Sequence, residues 1–373
     1  MILACQNICK AFGSRELIKN ASFHIEDREK AAIVGINGVG KSTLLKIIIK
    51  EMDADSGEVV IAKGKTIGYL AQHQDLVGEN TIFDELFQVR QELLSMERRM
   101  RILEQEMKFA TGDSLEEKMK SYANLSHEFE LQNGYAYKSE VVGILKGLGF
   151  EETEFDKRIT TLSGGQKTRV SLGKLLLTKP DIILLDEPTN YLDVEHIEWL
   201  TKFLQNYEHA FILISHDITF LNNVVNVIYH LENSNLTRYT GDYNRFQEMY
   251  AIYKSQQEAA YERQQQEVAK LEAFIARNKA RVATTNMAKS RQRKLDKMEM
   301  IEKPREKIKP TFRFNEARTP SRFIVEAKDL VLGYDTPLTR PVTFNLERGQ
   351  KIAIRGVNGL GKTTLLKTIL GLI

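Results

Sequence analysis

Apolar and polar positions along the chain fall into two alternating regimes, one with the short period of strands and one with the longer period of helices. Up to about residue 84, short β-branched runs alternate with glycine-rich turns. There "AAIVG" (31–35) reads as a buried strand that feeds a glycine loop, with a helix beginning near Lys41. The opening "MILACQNICKAFG" reads as a first strand, and strand alternation places Cys5 and Cys9 on one face. From about 85 to 130 the period lengthens. Leu86, Leu93, Met100, Leu103 and Met107 form one helical stripe, "TGD" (111–113) a turn, and Leu115, Met119, Tyr122, Leu125 and Phe129 a second stripe. That pattern predicts two antiparallel helices burying both stripes, either as a projecting arm or as one lobe of an ordinary helical subdomain. Short apolar runs return between about 140 and 240, where "IILLD" (182–186) and "AFILISHD" (210–217) read as fully buried parallel strands. From about 244 to 303 the chain is helical again and very polar, interrupted at "TTN" (284–286) and ended by Pro304. A loop-like stretch with Pro304, Pro310 and Pro320 follows.

From about 322 the opening pattern repeats. "FIVEAKDLVLGY" parallels "MILACQNICKAF", and "VTFNLERGQKIAIRG" parallels "ASFHIEDREKAAIVG". Phe23 and Phe344 each lie twelve residues before the first glycine of a glycine-lysine loop. A repeat this long implies two related domains rather than a solenoid, whose periods are roughly 20–50 residues.

Composition narrows the class. The 373 residues are 42% hydrophobic and 28% charged, ordinary for a soluble globular chain with room for two cores. No apolar run approaches the roughly 20 residues of a membrane span, and the N-terminus lacks a signal pattern, so a cytoplasmic protein without membrane insertion is expected. Two cysteines are too few for a disulfide framework or a metal site and are read as packing residues. The net charge of +3 hides an asymmetry: 270–297 holds nine basic residues against Glu272 and Asp296. Lys270, Arg277, Lys279, Arg281, Lys289, Arg291, Arg293, Lys294 and Lys297, spread over two helices, suit a phosphate backbone such as that of structured RNA. The bland alternative is a solvated helical connector. A membrane surface is disfavoured, because Phe274 and Ile275 make too small an apolar face.

The chemistry lies in three short stretches. "GINGVGKST" matches G-x-x-x-x-G-K-[ST], a loop whose glycines turn consecutive backbone N–H groups toward one anion at a helix N-terminus. Gly35, Asn37, Gly38, Gly40 and Thr43 belong to this cradle; Lys41 would reach the β- and γ-phosphates and Ser42 would bind Mg²⁺. "GVNGLGKTT" repeats it with Gly356, Asn358, Gly359, Gly361, Lys362, Thr363 and Thr364, Thr363 being the second metal-binding hydroxyl. In "IILLDEPTN", Asp186 would hold Mg²⁺ through water and Glu187 would polarise an attacking water. "LSGGQ" opens a helix at which Ser163, Gly164, Gly165 and Gln166 form either a second anion-seeking N-terminus or merely an N-cap with a glycine turn.

In order and spacing, "GINGVGKST", Gln72 in "IGYLAQ", "LSGGQ", "IILLDEPTN" and "LISHD" resemble an ATP-binding cassette domain. The duplicated cassette and the charged linker "NMAKSRQRKLDKME" make the chain resemble the F subfamily, in which two cassettes share one chain with no transmembrane domain. The resemblance implies an α/β fold: a P-loop NTPase ATP-binding cassette domain over 1–243 with a helical arm insertion at 85–130, a long helical linker over 244–321, and the N-terminal part of a second cassette over 322–373. It implies ATP and Mg²⁺ as cofactors and ATP hydrolysis as the activity. Phe12 and Tyr334 are then the aromatics that stack on adenine, and Gln72 senses the γ-phosphate and Mg²⁺. Asp193 lies in the loop that crosses the dimer interface, His216 is the switch histidine, and Glu187 is the catalytic carboxylate. Members of the subfamily bind the ribosome near the exit and peptidyl-transfer sites, which implies ribosomal RNA and tRNA as partners, and some protect it from antibiotics.

Two departures stand out. Tyr191 in "TNYLD" occupies a position where the family usually has His. The second cassette has no Gln loop, signature helix, Walker B acids or switch histidine before Ile373. Paired cassettes face head to tail, so this chain completes neither composite site, and a piece of a longer protein is expected. The competing reading, the energising subunit of a transporter, needs one cassette per chain and has no use for a basic linker of this kind. DNA-repair ATPases with similar cassettes carry longer coiled coils or zinc sites, which the cysteine count argues against.

Overall fold

The computed structural model describes residues 1–71, 76, 78–278, 285–300, 311, 313, 321–333, 337–356 and 360–372. The chain divides into two units, Met1–Tyr243 with Ser321–Ile373, and Asn244–Pro320. The first 243 residues run β1 (Leu3–Phe12), β2 (Arg15–Ile25), β3 (Lys30–Val34), α1 (Lys41–Ile48), β4 (Ser56–Ile61), β5 (Ile67–Leu70) and α2 (Ile82–Phe87). They continue through α3 (Gln91–Met107), α4 (Asp113–Leu131), α5 (Gly134–Gly147), α6 (Gly164–Thr178), β6 (Ile182–Asp186), α7 (Val194–Gln205), β7 (Ala210–Ile214), α8 (Ile218–Val224), β8 (Val227–Glu232) and β9 (Asn235–Thr240).

Two sheets result. β2, β1 and β4 form an antiparallel sheet in that order. The larger sheet has the order β5-β6-β7-β3-β8-β9, parallel as far as β8, with β9 antiparallel at the edge. All five residues of β6 and all five of β7 are buried, as expected for parallel strands covered on both faces. Each large apolar side chain there contributes roughly 1.5–3 kcal/mol. Local signals set the helix starts: Thr81 accepts from the Asp84 amide at 3.1 Å to cap α2, and Asp217 accepts from the Phe220 amide at 3.0 Å to cap α8.

Three expectations in this region need adjustment. Cys5 and Cys9 do not share a face. A bulge at Asn7, whose φ is +50°, shifts the pairing of β1 between Cys5 and Ile8, so both of these enter the core. Cys9 instead exchanges hydrogen bonds with Asn20. Antiparallel helices do form, as α3 and α4, but Leu86 belongs to the separate α2. Of the second stripe only Phe129 is fully buried, and Met119 is exposed. A two-helix arm has one inner face and nothing to cover its far side.

The second unit is a helical hairpin of α9 (Tyr243–Asn278) and α10 (Thr285–Asp296). Lys294 pairs with Glu267 at 2.6 Å, Gln264 Nε2 donates to the Glu299 carbonyl at 2.7 Å, and the Arg291 guanidinium stacks 4.1 Å from the Phe274 ring centroid. These partners run in opposite directions along the two helices, with Val268, Leu271, Ile275 and Ala288 buried. The helical stretch is divided in two as expected, but Thr285 and Asn286 already belong to α10, Thr284 lies outside the described residues, and α10 stops at Asp296, well before Pro304. The bond from Gln264 to Glu299 holds the chain after that stop.

The repeated segment forms β10 (Phe323–Leu330) and β11 (Val342–Glu347), an antiparallel pair, and α11 (Lys362–Ile369). Residues 351–356, which parallel the strand before the first loop, form no strand and are exposed. In the first copy β3 is a strand because β7 and β8 flank it; a parallel strand is held by its neighbours, not by its own sequence.

Candidate active site

The glycine loop, the acid pair and the histidine meet at the carboxyl edge of the parallel strands, where open α/β sheets place their ligands. The loop follows β3; Asp186 ends β6; His216 follows β7 by two residues. They line a cleft of ≈ 540 Å³ with Asn37, Gly38, Gly40, Lys41, Ser42, Thr43, Glu187 and Asn190. A larger cleft of ≈ 800 Å³ lies among α2–α5, but its walls are mainly aromatic and arm residues with no anion cradle.

The loop's shape explains its glycines. Gly40 is the N-cap of α1 with φ +109°, a left-handed conformation. At Gly35 a Cβ would lie 2.5 Å from the Leu231 carbonyl oxygen, so only glycine lets the loop pass β8. Lys41, 8% exposed, donates from Nζ to the Gly35 carbonyl at 2.8 Å and the Ile36 carbonyl at 3.3 Å. Burial lowers its affinity for a proton, while Glu187 and Asp186 raise it. Arg15 donates to the Gly38 carbonyl at 3.0 Å and pins the loop from outside.

Asp186 is 4% exposed and accepts a hydrogen bond from the Ser42 hydroxyl. Burial pushes its carboxyl above the ordinary range; Ser42, Lys41 and Lys46 pull partly back. Burial raises Glu187 as well, with His216 opposing it and Asp186 adding to it. His216 Nε2 stands 3.3 Å from Glu187 Oε1. Glu187 adopts φ +53° and donates its amide to the Ile214 carbonyl at 2.9 Å. A left-handed non-glycine costs about 1–3 kcal/mol, which the surrounding bonds must offset. Ser42 and Asp186 are hard oxygen donors held together at the head of the loop, a set that fits Mg²⁺.

Other expected residues are placed apart from this cleft. Phe12 is half exposed at the end of β1, with Lys10 Nζ 5.7 Å from its ring centroid, and does not line the cleft. Ser163 caps α6 in a reciprocal box with Gln166: its hydroxyl accepts from the Gln166 amide at 3.3 Å, and Gln166 Oε1 accepts from the Ser163 amide at 3.0 Å. Asp193 occupies the N-cap position of α7, and its charge acts on Arg169. In the second copy, Gly361 caps α11 with φ +83°, Lys362 donates to the Gly356 carbonyl at 2.7 Å, Thr363 is exposed and Thr364 buried. Of the hairpin cations, Lys270, Arg277, Lys289, Arg293 and Lys297 are exposed. Gln72, Lys279, Arg281, Tyr334, Asn358 and Gly359 lie outside the described residues.

Sequence reading missed Leu17, Arg15 and Asn190. Leu17 lines the cleft against Gly40, and nothing in a β-hairpin sequence announces a residue that touches a loop more than twenty positions on. Asn190 had a signal, its place in "EPTN" between Glu187 and Asp193; its amide donates to the Glu187 carbonyl at 3.1 Å.

A family profile described as ABC transporter matches residues 18–190 and 339–373, and a second of the same description matches 229–314. The chain is 51% identical over 99% of its length to the Bacillus subtilis (strain 168) protein named "Uncharacterized ABC transporter ATP-binding protein YfmM", and covers 71% of that protein. It is 32% identical to ABC transporter F family member 5 and 33% identical to F family member 2 of Arabidopsis thaliana, over 98% of this chain in each case. It spans only 54% and 55% of those two relatives.

Proposed function

The chain belongs to the ABC transporter family as an ATP-binding cassette protein with relatives in the F family, and from that premise we propose that its first cassette binds and hydrolyses MgATP to drive a ribosome-bound cycle. One observation carries the nucleotide part: Lys41, the Ser42–Asp186 pair and the Glu187–His216 pair converge on a single cleft. In this reading the loop amides and Lys41 hold the phosphates. Ser42 and Asp186 hold Mg²⁺, which when bound spreads the charge developing on the γ-phosphate. Glu187 takes a proton from the attacking water, and its burial-raised affinity suits that task. His216, 3.3 Å from that carboxylate, orients it and reaches the γ-phosphate.

The partner reading rests on the hairpin. No helix among the described residues is long and apolar enough to cross a membrane. Exposed Lys270, Arg277, Lys289, Arg293 and Lys297 give α9 and α10 a surface suited to RNA phosphates. Closure of two cassettes on ATP would set this hairpin on ribosomal RNA near tRNA, and hydrolysis would release it. Protection from an antibiotic is one outcome that such a cycle could serve. The test is co-sedimentation of the whole protein with ribosomes. The Glu187→Gln variant should pellet with ribosomes in MgATP while wild type cycles off, and charge reversal at Arg277 and Arg293 should weaken that association. Equal release of wild type and Glu187→Gln would refute the cycle.

A further inference from the structure

We propose that Tyr191 is a positioning residue that ties the Glu187 turn to the start of α6, so that nucleotide held at the phosphate loop is felt at Ser163–Gln166 of the same cassette. The inference rests on the nucleotide reading of the cleft. Its physical basis is a contact invisible in the sequence. A Cβ built on Gly165 would lie 2.9 Å from Tyr191 Cδ1, 3.0 Å from Cγ and 3.2 Å from Cβ. The near edge of the tyrosine side chain therefore packs on Gly165, and a methyl there would force it to shift.

The segment between Glu187 and Tyr191 is built to transmit a displacement. Both ends are left-handed non-glycines, φ +53° at Glu187 and φ +67° at Tyr191. Two tight bonds close it, Asn190 amide to Glu187 carbonyl at 3.1 Å and Leu192 amide to Thr189 carbonyl at 3.2 Å. Its first residue is fastened to β7 through the Ile214 carbonyl, and its last side chain presses on α6. A turn held in a sparsely populated conformation at both ends has few ways to absorb movement of Glu187 internally. The far side is equally firm. The first turn of α6 is closed by the Ser163–Gln166 box and by Thr168, whose hydroxyl donates to the Gly164 carbonyl at 3.1 Å. The ring, not the hydroxyl, makes the contact, so the device needs an aromatic at position 191.

The experiment is hydrogen exchange of the 373-residue chain, at a concentration where light scattering shows a monomer, with Mg²⁺ and the non-hydrolysable analogue adenylyl imidodiphosphate as the probe. In wild type the analogue should slow exchange of the Gly164–Gln166 amides by about threefold or more. Tyr191→Ala should bind the analogue with a Kd within about twofold of wild type yet lose most of that slowing, and Tyr191→Phe should keep it. Gly165→Ala, whose methyl collides with the ring, should lose the slowing in wild type but change nothing further in Tyr191→Ala, a non-additivity expected only of groups in contact. Wild type that binds the analogue without any change at 164–166, or Tyr191→Ala that retains the change, would overturn the coupling and leave the nucleotide site standing. Wild type that does not bind the analogue would overturn the nucleotide reading itself, and the coupling with it.

Discussion

The chain carries the same glycine-lysine loop twice, and the two copies show what a loop owes to itself and what it owes to the sheet beneath it. Both close in the same way. Gly40 and Gly361 are left-handed N-caps, and Lys41 and Lys362 each fold back on the first glycine's carbonyl, at 2.8 and 2.7 Å. That much is local, set by residues a few positions apart. The surroundings differ. Leu44 and Leu45 of α1 are fully buried, whereas Leu366 of α11 is 51% exposed. The first loop is threaded against β8 and faces acids from β6; residues 351–356 before the second loop form no strand. A phosphate cradle is a local motif, but a site that can do chemistry is assembled by strands far away in the chain, β6 and β7 (Ile182–Asp186 and Ala210–Ile214).

The largest expected effect follows from the acids. Glu187→Gln should lower turnover of MgATP by roughly 10²–10⁴-fold with little change in nucleotide affinity, as for loss of a general base. A variant that keeps wild-type turnover would show that another group activates the water. Next in size is the lysine comparison. Lys41→Ala should weaken MgATP binding to this chain by roughly 10–100-fold, the worth of charged hydrogen bonds, while Lys362→Ala should change it by less than about threefold. Equal losses, measured by titration calorimetry, would mean that the second loop binds as the first does and that the sheet is dispensable.

Legibility in the sequence followed the range of the interaction. The glycine loops and the cap of α6 were readable because each depends on neighbours within a turn, and β6 and β7 because an unbroken apolar run marks a strand covered on both faces. What escaped was set at long range or by one irregular residue. The bulge at Asn7 separated Cys5 from Cys9, and a single left-handed residue was enough. Met119 obeyed the helical period but is left exposed on the arm. "KIAIRG" has the composition of a strand, but among the described residues no strand flanks it as β7 and β8 flank β3. Tyr191 drew notice only as an unusual residue in "TNYLD"; its seat on Gly165, far earlier in the chain, needed the fold.

A smaller effect sharpens the loop comparison without any ligand. Gly35→Ala places a methyl 2.5 Å from a backbone oxygen of β8, where nothing can rotate away, and should destabilise the chain by about 1–3 kcal/mol. Among the described residues Gly356→Ala meets only Leu360 Cδ1 at 3.6 Å, an ordinary contact, and should be close to neutral. Urea denaturation of the two variants measures the difference. Equal midpoints would mean that the first loop is no more constrained by its sheet than the second.

The smallest effect concerns the cost of keeping acids buried beside the first loop. Asp186 and Glu187 hold protons more tightly when folded than when unfolded, chiefly because burial disfavours their charged forms. Across the interval between the unfolded and the folded values, the folded state binds more protons. Stability therefore falls as pH rises through that interval and stays lower at neutral pH. Asp186→Asn keeps an oxygen for the Ser42 hydroxyl and removes the charge. Its melting temperature at about pH 7 to 8 should exceed that of wild type by about one to a few degrees, and the advantage should vanish near about pH 3, where both acids are largely protonated even in the unfolded chain. MgATP should reverse the order, because it stabilises whichever chain binds it and the side-chain amide is a poorer partner for the cation than the carboxylate. Residues 363–373 contain no acid, so Thr363→Ala at the second loop should leave the pH curve as it is. Melting curves for Asp186→Asn that run parallel to wild type at every pH would mean that the carboxylate beside Lys41 is solvated, and the two loops would then differ in shape but not in electrostatics.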